Sequence, residues 1–583
     1  MEKKHTGAGT LVRLDEIGKI SNHAPKLPTP TLPRMGSAVA PLHHSAFRVL
    51  WAVSVLSAIG TFIQSIAASW LMLEMTGSST WVGLMVASST LPLLFLALFA
   101  GTLADMFDRT KIMLIAQVIM GGSALAMAVL TRSGVITPPL LLGLGLLLGT
   151  GVALNLPAFQ ALLPNLVPRG LIASAVALQS AAFNTARAVG PAIGGILVVS
   201  AGPALAFGIN SLTYVVAILG ILVVGRALNM PDREPTSFTS AVAMGLRFAR
   251  FTPQFARLLL LTALFAVTSA VVQAVLPSHT LTLGGTAGTF GFLLGAMGIG
   301  ALVGAFVRQP VMNLFGDRGT MVTVVAFGLS GILLGTAPNL PVAALAMILA
   351  GLFWLLTLTH LRTAAQLLSP EWIRGRTMAM YTLSFGGILP LGAILSGIVA
   401  DWIGTSMAIV SFSIGTVGLG LVTPLFKIPK LDEIVTPEFS EERTAHLDDD
   451  TIGGGPVVVL NVWKIDEEDF AEFTLVMNEI RMVRLRTGAY RWRLFRDTNE
   501  PHRLTEFFAL GSWEEHLAQH GRIDDASADL IAQARSFDRA GGPRTRHMIA
   551  IDVEHPPDFD ELLITHDELH RTDGSIPDFD HDD

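Results

Sequence analysis

Long apolar runs and short polar gaps follow one another along the chain from Phe47 to Phe426. In a bilayer every backbone N–H and C=O group must be paired within the protein, so an apolar run of about 20 residues predicts a membrane-spanning helix. The pattern predicts about twelve such helices, and the expected fold of this part is all-α. The expected ranges are 47–72, 81–104, 110–131, 138–163, 172–200, 203–225, 256–282, 287–308, 319–337, 341–366, 375–400 and 404–426.

The Lys and Arg residues fall in alternate gaps between these helices. Cytoplasmic loops of membrane proteins are enriched in Lys and Arg, so the gaps that hold them are predicted to be cytoplasmic. Those gaps contain Arg109, Lys111, Arg169, Arg226, Arg233, Arg247, Arg250, Arg308, Arg318, Arg374 and Arg376, whereas the opposite gaps contain only Arg132. The pattern predicts a multi-pass protein of the cell (inner) membrane with both termini in the cytoplasm.

The longest polar gap within the apolar region lies around residues 226–252 and divides the helices into two sets. Two six-helix halves around a central site are the architecture of many secondary transporters. The predicted halves are residues 46–226 and 256–428. Residues 227–255 are predicted to be a cytoplasmic linker with an amphipathic helix over Phe238–Phe255.

Polar segments flank the membrane part. Residues 1–45 contain several prolines and no apolar stretch typical of a signal peptide, which predicts a disordered cytosolic leader, with Met35 as an alternative start. After a linker at 429–455, residues 456–553 alternate as β-α-β-β-α-β, the order of a ferredoxin-like α+β domain. The acidic residues 554–583 are predicted to be a disordered tail.

The composition and motifs of the chain exclude several kinds of chemistry. The 583 residues include no cysteine, which excludes disulfides, thiol catalysis and cysteine-ligated metals. No Gly-rich loop followed by Lys-Ser/Thr is present, which argues against ATP-driven transport. The predicted partners are the lipid bilayer and a small-molecule substrate, with no nucleic acid, cofactor or metal.

The loop between the second and third predicted helices reads GTLADMFDRTK from Gly101 to Lys111. Gly101 permits close helix approach, and Asp105 and Arg109 lie one helical turn apart and can pair. The stretch resembles the signature of the major facilitator superfamily, with Met106 in place of its middle basic residue. The resemblance implies that Gly101, Asp105, Arg109 and Lys111 form a clasp between the two halves in one access state. The alternative is an ordinary basic loop with an N-cap aspartate.

The fifth predicted helix reads RAVGPAIGG from Arg187 to Gly195. Gly190 and Gly194 form a small-residue packing face, and Pro191 removes one backbone hydrogen bond. The stretch, including Gly195, resembles the antiporter motif of exporters in this superfamily, which implies export. The alternative is a packing face with no bearing on direction.

Residues 161–168, 187–195 and 374–379 together resemble the enterobactin-exporter-like branch of the superfamily. The resemblance implies export of siderophores and other hydrophobic or anionic small molecules in exchange for protons. The C-terminal segment resembles small α+β domains related to antibiotic-biosynthesis monooxygenases, which usually dimerise. That domain recurs in transporters described as transmembrane secretion effectors.

Polar residues inside the apolar runs are candidates for the substrate site, because charge is costly at mid-bilayer. Arg187 lies about midway along helix five, where a guanidinium can bind a carboxylate or catecholate, or can instead bond backbone carbonyls. The remaining candidates, each of which could also be an ordinary interhelical hydrogen bond, are Gln64, Asn155, Asn184, Asn210 and Gln273.

Proton coupling needs a titratable group. The candidates are Glu74, His360 and Asp401, although both carboxylates lie at the predicted outer rim rather than at mid-membrane.

His516 and His520 lie one turn apart on a predicted helix of the C-terminal domain, with Trp492 nearby in sequence. This spacing can hold a ligand, although solvent-exposed helix histidines give the same pattern. No catalytic set accompanies them, so the chain is predicted not to be an enzyme.

Together these features predict a secondary active transporter that exports small organic molecules by alternating access with proton antiport. Two alternatives stay open: an importer of the same fold, and a membrane-anchored ligand sensor or enzyme whose active part is residues 456–553. The Gly190–Gly195 motif favours export over import, and the membrane part is far larger than an anchor requires.

Overall fold

A computed structural model describes residues 39–106, 108–225, 238–426 and 455–550. The predicted linkers therefore lie partly, and the predicted leader and tail largely or wholly, outside the described residues. The helices of the membrane part are α1 (Ser45–Thr76), α2 (Ser79–Met106), α3 (Arg109–Arg132), α4 (Pro138–Leu162), α5 (Ile172–Ala201), α6 (Pro203–Gly225), α7 (Phe238–Phe251), α8 (Pro253–Ser269), α9 (Val271–Ala274), α10 (Leu276–Thr282), α11 (Ala287–Phe315), α12 (Gly319–Gly335), α13 (Leu340–Leu367), α14 (Arg374–Thr382), α15 (Leu389–Ile403) and α16 (Thr405–Val422).

Membrane-spanning segments dominate this part. Within the described ranges, eleven segments are long and apolar enough to cross a membrane. The apolar helix α12 has 17 residues and occupies the range predicted for the ninth span, but it is shorter than the other spans. The helical membrane fold is therefore confirmed, while the count of twelve spans stays a prediction.

Two of the predicted spans are interrupted. The seventh is divided into α8, α9 and α10, and Pro277 stands at the start of α10. The eleventh is divided into α14, a π-helical turn at Leu383–Gly387 and α15. Proline lacks the N–H that would bond the carbonyl four residues earlier, and Pro277 follows the second interruption of the seventh span while Pro390 follows the π-helical turn of the eleventh. Hydropathy alone predicted both spans as continuous helices.

Two pairs of helices join the halves. α2 packs against α15, and α5 packs against α11. Within the first half, α3 packs against α4 and α6, and α1 against α5 and α6; within the second half, α12 packs against α13 and α16. Each half is thus a compact bundle, and the contacts between them are confined to a few helices.

The C-terminal segment forms a four-stranded antiparallel sheet in the order β2-β3-β1-β4. Its strands are β1 (Val457–Lys464), β2 (Arg491–Arg496), β3 (Arg503–Leu510) and β4 (Arg544–Ile549), and its helices are α17 (Phe470–Thr487), α18 (Trp513–His520) and α19 (Asp525–Ser536). The order of elements follows the prediction, except that two helices, α18 and α19, stand where one was expected. Trp463, Phe473 and Met477 form the centre of its core.

Local capping explains where its helices begin. An aspartate just before the apolar residues Phe470 and Phe473 predicts an Asp466 cap on α17, but the backbone carbonyl of Asp466 closes a turn with the N–H of Asp469, and the helix begins at Phe470. The order Ser-x-x-Glu from Ser512 to Glu515 predicts a capping box at the start of α18, and its first bond is present, since the Ser512 hydroxyl accepts a hydrogen bond from the N–H of Glu515 at 3.2 Å. The Glu515 carboxylate accepts from the N–H of Gly511 rather than from Ser512.

The C-terminal domain contacts the membrane part at one end of the helix bundle. α17 lies against α7, the helix of the linker between the halves. Arg247 of α7 donates to the carbonyl of Gly488 at 2.9 Å. The guanidinium of Arg522 lies 4.6 Å from the ring centre of Trp372, in the connection between α13 and α14. We call these three contacts the docking interface.

Candidate functional site

A cavity of about 270 Å³ lies between the two halves. Helices α1, α2 and α5 of the first half and α9, α11 and α13 of the second half provide most of its lining. Among the predicted substrate residues, Arg187, Gln64 and Gln273 line it. Gln273 belongs to α9, the short central piece of the interrupted seventh span. Interrupted helices commonly build the substrate site of transporters, because they free backbone and side-chain polar groups at mid-membrane.

Among the lining residues that the structure describes, Arg187 is the charged one. Its guanidinium lies 5.2 Å from the ring centre of Phe183, one turn earlier on α5. Across the described residues, no carboxylate lies within salt-bridge distance of Arg187. The cavity therefore presents a positive charge that the protein does not neutralise in the described ranges, which favours an anionic group on a bound molecule.

Buried polar groups of α6 orient the lining residues of α1. Asn210 is fully buried and donates to the side-chain oxygen of Gln64. The hydroxyls of Tyr214 and Thr61 lie 3.2 Å apart. The amide of Gln64 also contacts the sulfur of Met127 at 3.2 Å. Asn210 was a candidate for the substrate site, but in this arrangement it positions Gln64 instead of lining the cavity.

Asn155 and Asn184 do not line the cavity. The side-chain oxygen of Asn155 accepts from Gln117 at 3.3 Å, an interhelical bond between α3 and α4. Asn155 thus forms an ordinary interhelical hydrogen bond, which is the alternative given above for each of these polar candidates.

An aromatic group that sequence reasoning did not single out closes one wall. Trp354 lines the cavity and is surrounded by Phe265, Phe327 and Phe385, with ring centres 5.6 to 5.9 Å from its own. Phe385 lies in the π-helical turn. An aromatic residue in an apolar run gives the same hydropathy signal whether it faces lipid or substrate, so only the tertiary packing identifies this wall.

The glycine motif of α5 is a three-helix junction beside the cavity. A Cβ at Gly194 would lie 3.0 Å from the Cα of Ile63 on α1, and one at Gly190 would lie 2.6 Å from the Cβ of Phe62. A Cβ at Gly195 would lie 2.7 Å from the carbonyl oxygen of Ala287 on α11. Between these contacts, Pro191 lines the cavity. The motif thus packs α5 against α1 of its own half and against α11 of the other half. It begins one turn after Arg187.

The three candidates for proton coupling lie outside the cavity lining. The Glu74 carboxylate accepts a hydrogen bond from the indole N–H of Trp70 at 2.6 Å. Asp401, at the end of α15, accepts from the backbone N–H groups of Ser79 and Thr80 at 2.7 and 3.1 Å, and so caps α2 of the other half. The Nδ1 atom of His360 lies 3.1 Å from the sulfur of Met312.

The predicted clasp is only partly within the described residues. Gly101 and Asp105 belong to α2, but their surroundings lie outside what the structure describes. Arg109 begins α3, Lys111 is exposed, and Asp108 caps the helix by accepting from the N–H of Thr110 at 2.8 Å. The N-cap part of the alternative interpretation is therefore present, and the clasp stays a prediction.

A second cavity, of about 110 Å³, lies in the C-terminal domain between the sheet and its helices. His516 and His520 line it, as does His547 of β4, which sequence reasoning missed. The ring centres of His516 and His547 are 4.7 Å apart. Trp492 is not among the lining residues, since its indole N–H donates to Glu506 at 3.0 Å behind the cavity. His547 is distant in sequence from the other two, and only the β1–β4 pairing brings it to them. We call this cavity the histidine pocket.

The surroundings of the histidine pocket keep its imidazoles neutral. Burial, followed by the charges of His520, His547 and Arg484, lowers the pKa of His516 to about 3. Burial, followed by Arg484 and His547, lowers the pKa of His520 to about 4. Burial also lowers the pKa of His547. At neutral pH these rings can therefore donate and accept hydrogen bonds but carry no charge.

The C-terminal domain should lose stability as the pH falls from 6.5 to 5. The unfolded chain takes up a proton on His516 near pH 6.5, whereas the folded domain does so only near pH 3, so the stability present above pH 6.5 is lost below it. For His516, which is 4 % exposed, the loss is about 2 kcal/mol by pH 5. Urea titrations of the full chain at pH 6.5 and pH 5, followed by pulse proteolysis, measure this loss of stability in the C-terminal domain. A His516→Gln variant should show a smaller pH dependence, and an equal urea midpoint at both pH values in the unmodified protein would contradict the assignment.

The comparisons with known proteins agree with this arrangement. Residues 36–555 match the family model of the transmembrane secretion effectors. The multidrug efflux pump Tap of Mycolicibacterium fortuitum is 26% identical over 384 residues, which cover 64% of this chain and 93% of that protein. The enterobactin exporter EntS of Salmonella typhimurium is 26% identical over 407 residues, which cover 68% of this chain and 96% of that protein.

Solved structures share the fold of the membrane part. The D-xylose–proton symporter superposes with a TM-score of 0.54 at 14% identity, covering 67% of this chain and all of that one. A bacterial homologue of the human lysosomal transporter Spinster, in an inward-facing and occupied conformation, also gives 0.54 at 14% identity, covering 68% of this chain and 99% of that one. The resemblance to the enterobactin-exporter-like branch is confirmed. The chain belongs to the transmembrane secretion effectors, a family of multi-pass major facilitator transporters.

Proposed function

We propose that this transporter exports small organic molecules that carry an anionic group, by alternating access and in exchange for protons. The observation that carries the proposal is the guanidinium of Arg187, which lines a cavity between the halves without a carboxylate partner among the described residues. A buried cation without a partner is costly, and a substrate anion supplies that partner.

The rest of the cavity suits an amphipathic organic anion. Gln64 and Gln273 offer amide groups for hydroxyl or carbonyl oxygens, and Trp354 offers an aromatic face. The names of the relatives, a multidrug efflux pump and an enterobactin exporter, support drug-like or siderophore-like substrates and export.

Alternating access is supported by how the halves meet. Asp401 of α15 caps α2, and Gly195 of α5 packs against the start of α11; both contacts lie at the predicted outer end. Closure at one end with a cavity at mid-membrane is what one access state requires.

In the opposite state we propose that Gly101, Asp105, Arg109 and Lys111 clasp the cytoplasmic end. Glu74, His360 and Asp401 are proposed as the titratable groups for antiport.

The C-terminal domain is proposed to be ferredoxin-like, cytoplasmic and dimeric. One face of its sheet carries Leu460 and Phe507 without helix cover, and Phe495 and Met548 on the same face are 53% and 47% exposed. An apolar sheet face of this kind is buried when a second sheet packs on it.

Everted membrane vesicles test the direction of transport. Vesicles that contain the protein, energised to be acidic inside, should accumulate enterobactin or 2,3-dihydroxybenzoate several-fold above vesicles without it. Collapse of the pH gradient with a protonophore should abolish the difference. Accumulation in right-side-out vesicles alone would instead support the importer alternative.

A further inference from the structure

The histidine pocket has polar atoms that are left unsatisfied within the protein. His516 is 4% exposed, and its Nδ1 atom has no hydrogen-bond partner among the described residues. Its Nε2 atom lies 3.4 Å from the Nε2 of His520. A buried ring nitrogen without a partner is costly, so a bound molecule that supplies one would be stabilised.

The charged side chains of the pocket are all positive. Arg484 and Arg535 line it, and no carboxylate appears among its lining residues in the described ranges. Glu506 stands behind the lining, fully buried, and accepts from Arg484 at 3.3 Å, Asn461 at 2.7 Å and Trp492 at 3.0 Å. This carboxylate forms an ion pair with Arg484, and its single negative charge offsets only one of the two guanidinium groups, so the pocket keeps a positive balance.

The remaining walls are apolar and partly aromatic. Trp463, Ile480, Phe508 and Ile531 provide them, and the guanidinium of Arg484 lies 4.5 Å from the ring centre of Phe508. A volume of about 110 Å³ admits only a compact molecule. Across the described residues, no group of three or more His, Asp or Glu side chains is arranged to hold a metal ion. The donors and walls therefore match a compact organic molecule with one anionic end.

We infer that the histidine pocket binds a small organic anion, such as a carboxylate carried on a single ring. The carboxylate lies between Arg484 and Arg535, the Nδ1 of His516 bonds the polar part, and the ring packs against Trp463 and Phe508. This site is separate from the transport cavity and does not depend on the direction of transport.

The site lies beside the docking interface. α18 carries His516 and His520, and Arg522, two positions after its last residue, packs on Trp372. Arg522 also donates to the carbonyl of Thr487 at 2.8 Å, next to the Gly488 carbonyl that Arg247 contacts. The pocket is thus next to Arg522, one of the residues that attach the domain to the transporter.

Calorimetric titration of the full chain in lipid nanodiscs, with benzoate as the probe, tests the inference. Saturable binding is expected, with the neutral isostere benzamide bound at least about tenfold more weakly. Arg535→Gln should weaken benzoate binding about tenfold. So should the double variant Arg484→Gln/Glu506→Gln, which removes one of the two guanidinium groups proposed to hold the carboxylate without leaving Glu506 as an unpaired buried anion.

Two control variants show whether benzoate binds in the histidine pocket or in the membrane cavity. Arg486→Gln, on the same helix but bonded to Ser527 outside the pocket, should bind benzoate normally. Binding should also persist in Arg187→Ala, which lacks the cation of the membrane cavity. Absence of saturable benzoate binding, equal affinity for benzamide, or loss of binding only in Arg187→Ala would overturn the inference. The last of these outcomes would leave the proposed transport function standing.

Discussion

Replacing Arg187 by alanine should greatly weaken transport of anionic substrates at concentrations below saturation. The guanidinium is the positive charge of the membrane cavity, and in the described part of the chain it has no carboxylate partner. Loss of one member of a buried charge pair costs about 2–5 kcal/mol, so the substrate concentration for half-maximal efflux should rise roughly 30-fold or more. Uptake of 2,3-dihydroxybenzoate into everted vesicles, with protein amount measured in parallel, gives this quantity.

Matched variants separate charge from folding. Arg187→Lys keeps a cation but loses the planar guanidinium, so partial transport is expected. Arg132→Ala removes an exposed arginine from the end of α3 and should transport normally. Normal efflux by Arg187→Ala at normal expression would refute the anion site and leave this arginine with a purely structural role.

Gly195→Val should block transport while the protein still inserts and folds. A side chain at Gly195 would meet the backbone of α11 on several sides, within 2.7 Å of the Ala287 oxygen and about 3 Å of the Gly288 and Gly291 Cα atoms. This contact joins the two halves, so each half can fold while their closure is prevented. Overpacking costs about 1–3 kcal/mol, which shifts the population of the closed state by roughly five- to 150-fold.

Introduced cysteines can report this shift, since the chain has none of its own. A Ser69→Cys substitution places a thiol in the cavity lining. With Gly195→Val present, a membrane-impermeant maleimide added from the outside should label it faster. Gly143→Val, at a position whose Cβ would meet nothing within 4 Å, is the control. Unchanged labelling together with normal transport in Gly195→Val would show that this contact does not govern access.

The spans could be predicted because the bilayer imposes one rule on every residue of a long segment. Breaks inside a span could not be located from hydropathy, because prolines such as Pro277 and Pro390 are tolerated within apolar membrane helices and do not end the apolar run. Helix α18 was predicted at its start because Ser512 and Glu515 form a local cap, which is encoded within four residues.

The candidate functional residues differ in the same way: some could be identified from local sequence, and others only from tertiary contacts. Arg187 was identifiable, since a charge inside an apolar run needs a reason wherever the run folds. Asn155 and Gln64 looked alike in sequence, yet one bonds to Gln117 and the other lines the cavity. His547 gave no signal because its partners lie some 30 positions away, on α18. Amides in apolar helices and histidines in strands acquire their roles from tertiary contacts alone.

The docking interface also sets an order of events during synthesis. Arg247 and Trp372 are made well before Gly488 and Arg522, the residues they contact. At about 5–20 residues per second, the ribosome needs roughly 5–20 s to pass from Phe426 to Arg522. During that interval the helical bundle is in the membrane without its C-terminal domain. Each newly made molecule therefore passes through an undocked form before the domain can attach to the linker helix.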